Sequence, residues 1–211
     1  KDHAVLIDCT DLSTNRIKIN TPGYTWLIID SKKRRGLVDS EYNRRRQECE
    51  EGLKSAQKAF PGRKIGGLRY ISIFDLETLK KSCDPVVFKR VKHIVTENDR
   101  VLKTVKALEA GNSSEIGECL YGSHASLRDD FQVSCAELDT LVDILSGVDG
   151  VAGARLTGAG FGGCVIAFLK EDSVDKAKGA ILEKYHPDFL SKDKSAEIWP
   201  IKISDGSKVV K

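Results

Sequence analysis

The glycine-rich segment from Gly153 to Gly163, GARLTGAGFGG, has the composition that most strongly suggests chemistry in this chain. Gly158, Gly160 and Gly163 fit the G-x-G-x-x-G pattern of dinucleotide-binding loops. Such a loop requires a helix after it, whereas residues 164–169 have the pattern of an apolar strand, so the dinucleotide interpretation fails. Glycines between two strands still let backbone N–H groups approach an anion closely. A hairpin turn with positive φ explains the same residues equally well, and both interpretations stay open.

A second candidate is the basic run from Lys32 to Arg46, which holds seven Lys and Arg residues. Such a run could bind phosphates, but three glutamates follow within five residues and favour a solvated helix face. We therefore expect no nucleic-acid partner. Tyr42 lies in the first turn of a helix predicted from Ser40 to Phe60. A tyrosine there is typical of the edge of the helix core, and a ligand contact is the alternative.

The remaining residues with catalytic potential show no catalytic spacing. The four histidines lack the spacing of zinc ligands, so we predict no metal site. Ser123 and His124 fall near the end of one predicted helix and Asp130 follows it, and we interpret all three as helix-end and packing residues rather than as a catalytic relay. The six cysteines form no C-x-x-C pair, which predicts reduced and mostly buried thiols.

Composition indicates the class of protein that must position these segments. The 211 residues are 40% hydrophobic and 31% charged, which is typical of one globular domain with or without a short appendage. Lys and Arg number 34 against 31 Asp and Glu, and a net charge of +3 favours neither a nucleic-acid nor a membrane partner. No apolar stretch is long enough to span a membrane and no signal peptide is visible, so we expect a cytoplasmic protein. Because the sequence starts at Lys1 and contains no methionine, we expect a piece of a longer chain.

Hydrophobic periodicity and turn signals predict the order of the elements. They are a strand pair at 3–9 and 15–19, a break at 21–23, a strand at 24–30, helices at 40–60, 85–110, 114–127 and 134–146, strands at 151–157 and 164–169, a helix at 174–185 and a strand at 196–203. Asp84 and Pro85 mark the start of the second helix, and a Ser134–Glu137 capping box marks the start of the fourth. The order after the break predicts an α+β domain of the ferredoxin-like split β-α-β type, with extra helices on one face of a mainly antiparallel four-stranded sheet.

Four segments together resemble the GHMP family of sugar and metabolite kinases, and within it the galactokinases. They are KDHAVLIDC at 1–9, GLVDSEYNRRR at 36–46, SHASLRDD at 123–130 with VSCAELD at 133–139, and GARLTGAGFGG at 153–163. The segments occur in the family's order. The resemblance implies that residues 1–22 are a strand pair left over from an N-terminal GHMP domain, and that residues 23–211 are the GHMP kinase C-terminal domain.

The resemblance also implies a reaction, which in the intact enzyme is phosphoryl transfer from ATP with Mg²⁺ to the anomeric hydroxyl of galactose. Tyr42 matches the tyrosine that packs beside the sugar. The motif that closes on the phosphate-binding segment of the other domain is matched by Gly158, Gly160, Gly162 and Gly163. The family's sugar motif, phosphate loop, catalytic aspartate and metal ligands would all lie upstream, so no catalytic residue is expected here and the fragment alone is expected to be inactive. A sugar-sensing regulator or a non-catalytic binding module is the alternative.

Overall fold

An antiparallel hairpin opens the chain in the computed structural model, which describes residues 1–34, 38–188, 190 and 195–204. Its strands are β1 (His3–Asp8) and β2 (Ser13–Lys18), as predicted. Ile17 of β2 is buried in an apolar cluster that also contains residues of two helices and Phe168. The hairpin and the rest of the chain thus share a core, and the domain boundary at residues 21–23 stays a prediction.

The main sheet of the described chain is built from β3 (Tyr24–Asp30), β4 (Val151–Leu156), β5 (Cys164–Lys170) and β6 (Glu197–Ile201). The strand order is β4–β5–β3–β6, and every neighbouring pair is antiparallel. The β-branched and aromatic residues of β3 suit its central position in a sheet that is covered on both faces. This strand order is that of the ferredoxin-like split β-α-β fold, so the predicted α+β class and the four-stranded antiparallel sheet are confirmed.

The helices of the described chain are α1 (Val38–Ala59), α2 (Leu76–Ser82), α3 (Pro85–Ala110), α4 (Ser113–Ser126), α5 (Ala136–Ser146) and α6 (Val174–Lys184). α3 begins as predicted, because the Asp84 carboxylate accepts the N–H groups of Val86 at 2.8 Å and Val87 at 3.3 Å. It ends at Gly111, which adopts a left-handed φ of 72°. α2 and a π-helical turn at Leu127–Phe131 are absent from the prediction. None of the described helices combines the length and the apolar composition that crossing a membrane demands.

Secondary structure packs on both faces of the sheet, whereas the sequence predicts helices on one face. Leu27 and Ile29 of β3 are fully buried in a cluster with residues of α5 and α6. Phe168 of β5 is fully buried in a different cluster, with Ala107 of α3 and Ile116 of α4. β5 is apolar at nearly every position, so both of its faces have to be covered. The long helices α3 and α4, together with the hairpin, provide the second cover.

Candidate functional site

The glycine-rich loop at residues 157–163 joins β4 to β5. Gly158, Gly160 and Gly163 have φ of 80°, 81° and 85°, while φ is 129° at Gly162 and 58° at Phe161. Glycine reaches this left-handed region without a steric penalty, and other L-residues seldom adopt it. The positive φ expected of a turn is therefore present at all four glycines that resemble the family motif.

Hydrogen bonds tie the base of the loop to two other segments. The Gly163 carbonyl accepts the backbone N–H of Ser31 at 3.0 Å and the Ser31 hydroxyl at 2.7 Å. The Gly163 N–H donates to the Lys33 carbonyl at 3.0 Å. On the other side, the Phe161 N–H donates to the Val133 carbonyl at 2.7 Å. The loop is thus held both by the end of β3 and by the segment that precedes α5.

Two of the glycines are required by close contacts inside this chain. A Cβ atom on Gly160 would lie 2.0 Å from the Val133 carbonyl oxygen, and one on Gly162 would lie 2.6 Å from the Lys33 carbonyl oxygen. No side chain fits at either position unless the backbone moves. The turn explanation therefore accounts for Gly160 and Gly162 without any ligand.

The tip of the loop differs from its base, because Gly158 and Ala159 are exposed. Their N–H groups donate to no acceptor in the part of the chain that the structure describes. Successive unbonded N–H groups in a left-handed turn carry positive partial charge and suit an anion. The tip, rather than the buried base, is where a phosphate could approach.

Tyr42 lies near the start of α1, and its side chain is 60% exposed. α1 instead buries Arg45, Glu48 and Ala56. Tyr42 is therefore more exposed than the predicted position at the edge of the helix core implies. An exposed phenol offers an apolar ring and a polar hydroxyl to a ligand.

Arg45, one turn after Tyr42, connects α1 to the segment that holds the glycine loop. Its buried guanidinium donates to the carbonyls of Phe131 at 2.7 Å and Gln132 at 3.1 Å. Val133, the next residue, accepts the hydrogen bond from the glycine loop. The structure therefore brings the helix of Tyr42 and the glycine loop onto the same short segment.

Four further cations of the basic run are paired with carboxylates. The pairs are Lys32–Glu197 at 2.5 Å, Lys33–Glu137 at 2.7 Å, Arg44–Glu48 at 3.2 Å and Arg46–Glu50 at 3.1 Å. Exposed pairs contribute only about 0 to 1 kcal/mol to stability, but a carboxylate beside a cation weakens its attraction for phosphate. Arg44 is neutralised least, because Glu48 also pairs with Arg45 and Arg90. Residues 35–37, which include the start of the GLVDSEYNRRR segment, lie outside the described residues.

His124 forms no relay with Ser123 and Asp130. Its Nδ1 accepts the N–H of Leu156 at 3.3 Å, and its Nε2 lies 3.2 Å from the Asp139 carboxylate but outside hydrogen-bond geometry. Ser123 donates instead to a glutamate of α3. These contacts connect α4 with α5 and β4, so the interpretation as packing residues agrees with the structure.

The predicted capping box at the start of α5 is wrong. The helix begins at Ala136 without a side-chain cap, and the Ser134 hydroxyl donates to the Asp139 carboxylate. Glu137 pairs with Lys33. Burial raises the pKa of Glu137, but the hydrogen bond from Lys33 opposes this effect, and the pKa is lowered overall. The start of α5 is therefore linked to the residue whose carbonyl holds Gly163.

A buried ion pair between α1 and α3, absent from the prediction, supports this arrangement. Arg90 is 1% exposed and donates to the Glu48 carboxylate at 2.6 Å, and Arg45 shares that carboxylate at 3.1 Å. Burial raises the pKa of Glu48, but the hydrogen bond from Arg90 and the charges of both arginines outweigh it and lower the pKa. The sequence does carry a signal, because Arg90 lies one turn after Val87 on the apolar stripe of α3, where an unpaired charge would be costly.

All six cysteines are free thiols. Cys119 is buried, Cys9 is exposed and the other four cysteines are half-buried, so the expectation of mostly buried thiols is wrong. Burial raises the pKa of Cys49 to about 11, which keeps its thiol protonated near neutral pH. Among the described residues, no group of three or more His, Cys, Asp or Glu side chains is placed to hold a metal ion.

Residues 104–187 match the family model described as GHMP kinases C terminal. Over 211 residues the chain is 42% identical to the galactokinase of Clostridium acetobutylicum, covering 100% of this chain and 53% of that protein. Over 210 residues it is 42% identical to the galactokinase of Clostridium beijerinckii, covering 98% of this chain and 52% of that protein. The chain thus spans about half the length of the curated relatives that it matches.

Solved structures agree with these matches. The crystal structure of Lactococcus lactis galactokinase complexed with galactose superposes with a TM-score of 0.88 at 35% identity, covering 98% of this chain and 52% of that one. L. major mevalonate kinase in complex with R-mevalonate superposes with a TM-score of 0.58 at 19% identity, a likeness of fold alone. Residues 104–187 therefore resemble the C-terminal part of GHMP kinases, and the chain as a whole is similar to about half the length of galactokinases.

Proposed function

We propose that this chain is the C-terminal part of a galactokinase, which transfers the γ-phosphoryl group of ATP to the anomeric hydroxyl of galactose. The products are ADP and galactose 1-phosphate. The observation that carries the proposal is the match, over nearly the whole chain, to galactokinases about twice as long. Tyr42 and the tip of the glycine loop are the surfaces that we assign to the two substrates.

The tip of the glycine loop contacts the phosphates of ATP in this proposal. The N–H groups of Gly158 and Ala159 are held in place before the ligand arrives, because the loop base is bonded to neighbouring segments. Donors that are already oriented stabilise developing charge without reorganising. Gly160, Gly162 and Gly163 act indirectly, since they allow the close backbone packing that holds the tip.

Tyr42 contacts the sugar in this proposal. The exposed phenol can pack its ring against the C–H groups of a pyranose and use its hydroxyl as a hydrogen-bond partner. Arg45 holds this part of α1 against the segment that supports the glycine loop. The sugar and the phosphates are thereby held by parts of one connected structure.

The reaction also needs groups that we place in the half preceding this chain. A bond forms between the anomeric oxygen and the γ-phosphorus, the bond from that phosphorus to the bridging oxygen of ADP breaks, and the hydroxyl proton passes to a base. We place the base and the main phosphate loop upstream. Mg²⁺ would neutralise phosphate charge. The described residues are not suited to hold it, because they contain no cluster of metal-binding side chains. We therefore assign no step of this chain to the metal.

The proposal is tested by comparing the 211-residue chain with the longer gene product that contains it. We expect galactose-dependent ADP release from the longer protein, and none above a no-protein blank from the chain alone, since a missing general base costs about 10² to 10⁴ in rate. Release of ADP without galactose is the control for contaminating ATPases. Binding of ATP and galactose by the longer protein without turnover would favour the sugar-sensing regulator. Turnover by the chain alone would contradict our placement of the base.

A further inference from the structure

We propose that Arg90 and Glu48 are positioning residues. Together with Arg45 they fix the Leu127–Val133 segment, and through it the glycine loop, relative to the part of α1 that carries Tyr42. The effect on turnover rests on the proposed function. The structural part of the inference is independent of it.

The Leu127–Val133 segment departs from α-helical geometry and needs partners from outside. α4 continues into a π-helical turn at Leu127–Phe131, and Gln132 then adopts a left-handed φ of 56°. π-helical turns are rare and often occur at functional sites. The last carbonyls of a helix lack intrahelical donors, so they cost free energy if they are buried without other partners.

Two arginines supply these partners. Arg90 donates to the Asp130 carbonyl at 2.5 Å and to the side-chain oxygen of Gln132 at 2.8 Å. Arg45 donates to the carbonyls of Phe131 and Gln132. Three successive main-chain carbonyls are therefore bonded to guanidinium groups that come from α1 and α3.

Glu48 allows the two arginines to be buried side by side. One oxygen of its carboxylate accepts from Arg90 at 2.6 Å and from Arg45 at 3.1 Å, and its side chain is only 11% exposed. Removal of one member of a buried charged group leaves the others uncompensated. Loss of the Glu48 charge should therefore loosen both arginines and the segment that they hold.

Val133 connects this segment to the glycine loop. Its N–H donates to the Leu127 carbonyl at 3.0 Å, and its carbonyl accepts the Phe161 N–H at 2.7 Å. The same carbonyl oxygen lies so close to Gly160 that not even a methyl group would fit. A displacement of Val133 must therefore move the loop.

Hydrogen exchange in the 211-residue chain tests the structural part. In Glu48→Gln, which keeps the shape and removes the charge, the N–H groups of Val133 and Phe161 should exchange at least about tenfold faster, while the β3–β5 ladder is unchanged. Arg46→Gln, which breaks an exposed ion pair on the same helix, is the matched control and should change neither amide. Unchanged exchange at both amides in folded Glu48→Gln would overturn the inference. If that variant does not fold, Arg90→Lys is measured in the same way, with the same decisive outcome.

Steady-state kinetics of the longer protein tests the effect on catalysis. Glu48→Gln should lower kcat per folded molecule by about 10- to 100-fold, because small misplacements of bound groups are costly, and should change the galactose KM less than twofold. Arg90→Lys keeps the charge opposite Glu48 but cannot reach Glu48, the Asp130 carbonyl and the Gln132 side chain together, so its kcat should be intermediate. A merely structural role would reduce the folded fraction and leave kcat per folded molecule unchanged. If the unaltered longer protein shows no galactose-dependent turnover, the proposed function fails and the exchange experiment still decides the positioning role.

Discussion

His93 makes the stability of this domain sensitive to acid. It is buried, its Nδ1 lies 3.0 Å from the Ser126 hydroxyl, and its ring stacks on Phe131 with the centroids 4.5 Å apart. Burial lowers the pKa of His93 from 6.5 to about 4. Between these values the unfolded chain binds a proton at His93 and the folded chain does not. Stability is therefore fully present above pH 6.5, falls as the pH drops towards 4 and levels off below that.

His93→Gln should remove this part of the pH dependence. Within this pH window the free energy of unfolding falls by about 1.4 kcal/mol for each unit that the pH drops. His93 should therefore lower it by about 2 kcal/mol between pH 6.5 and pH 5. Urea unfolding of both proteins at pH 7 and pH 5 measures the difference. The variant is expected to be less stable at pH 7, where ring packing is lost, but to lose less on acidification. Equal losses in the two proteins would show that folding does not lower the pKa of His93.

Tyr42→Ala separates a ligand contact from a structural role, with Tyr70→Ala as a control at another exposed tyrosine. Tyr42 is 60% and Tyr70 is 52% exposed, so each change should alter the free energy of unfolding of the 211-residue chain by no more than about 0.5 kcal/mol. In the longer protein, Tyr42→Ala should weaken galactose binding by about 1 to 3 kcal/mol and ATP binding less, because only the sugar packs on the ring. Titration calorimetry measures both. Equal effects of the two substitutions on galactose affinity would remove Tyr42 from the sugar site.

At the scale of elements, the glycine loop has a base that is bonded to neighbouring segments and a tip that is exposed. A substitution that tests ligand binding must therefore be placed at the tip. Gly160→Val would drive a side chain into the Val133 carbonyl, so it would destabilise the fold whether or not ATP binds nearby. Ala159 is exposed at the tip and can carry a larger side chain without that clash. Only the second position can report on the ligand.

Ala159→Glu is expected to leave folding intact and to weaken ATP binding in the longer protein. The added carboxylate would face the phosphates, and repulsion of about 1.4 kcal/mol would raise the ATP KM about tenfold. Gly179→Glu is the control, because it adds the same charge on the exposed surface of α6, where no atom lies within 4 Å of a new Cβ. Thermal melting verifies folding, and kinetics with ATP varied measures the effect. An unchanged ATP KM would mean that the loop is only a turn.

At the scale of the whole molecule, alternation and turn signals are enough to predict the fold class and the four-stranded antiparallel sheet, but not the second layer that covers it. The order of strands after Gly23 predicts the ferredoxin-like sheet, because a split β-α-β order is compatible with few arrangements of an antiparallel sheet. Asp84 predicts the start of α3 for a local reason, since its carboxylate caps backbone groups only two and three residues away. Features that depend on local geometry were thus accessible from the sequence.

Features that depend on contacts between distant residues could not be predicted from the sequence. The capping box at Ser134 is a local exception, because the Ser134 hydroxyl donates to Asp139, only five residues later, instead of capping α5. The π-helical turn at Leu127–Phe131 disrupts the 3.6-residue period and is bonded to arginines about 40 and 85 residues earlier in the sequence. For the candidate site, the spacing of the glycines is enough to predict a turn with positive φ. It does not predict which glycines serve packing, because that depends on Val133 and Lys33.

The bonds at both ends of the glycine loop also determine where motion can occur. Because Ser31, Lys33 and Val133 hold its base, residues 160–163 have no hinge of their own and should show the backbone order parameter of a rigid element, about 0.85, on the picosecond-to-nanosecond timescale. In the proposed enzyme this loop is therefore a fixed wall rather than a lid. Any motion that lets ADP leave the proposed enzyme would then have to occur outside residues 160–163.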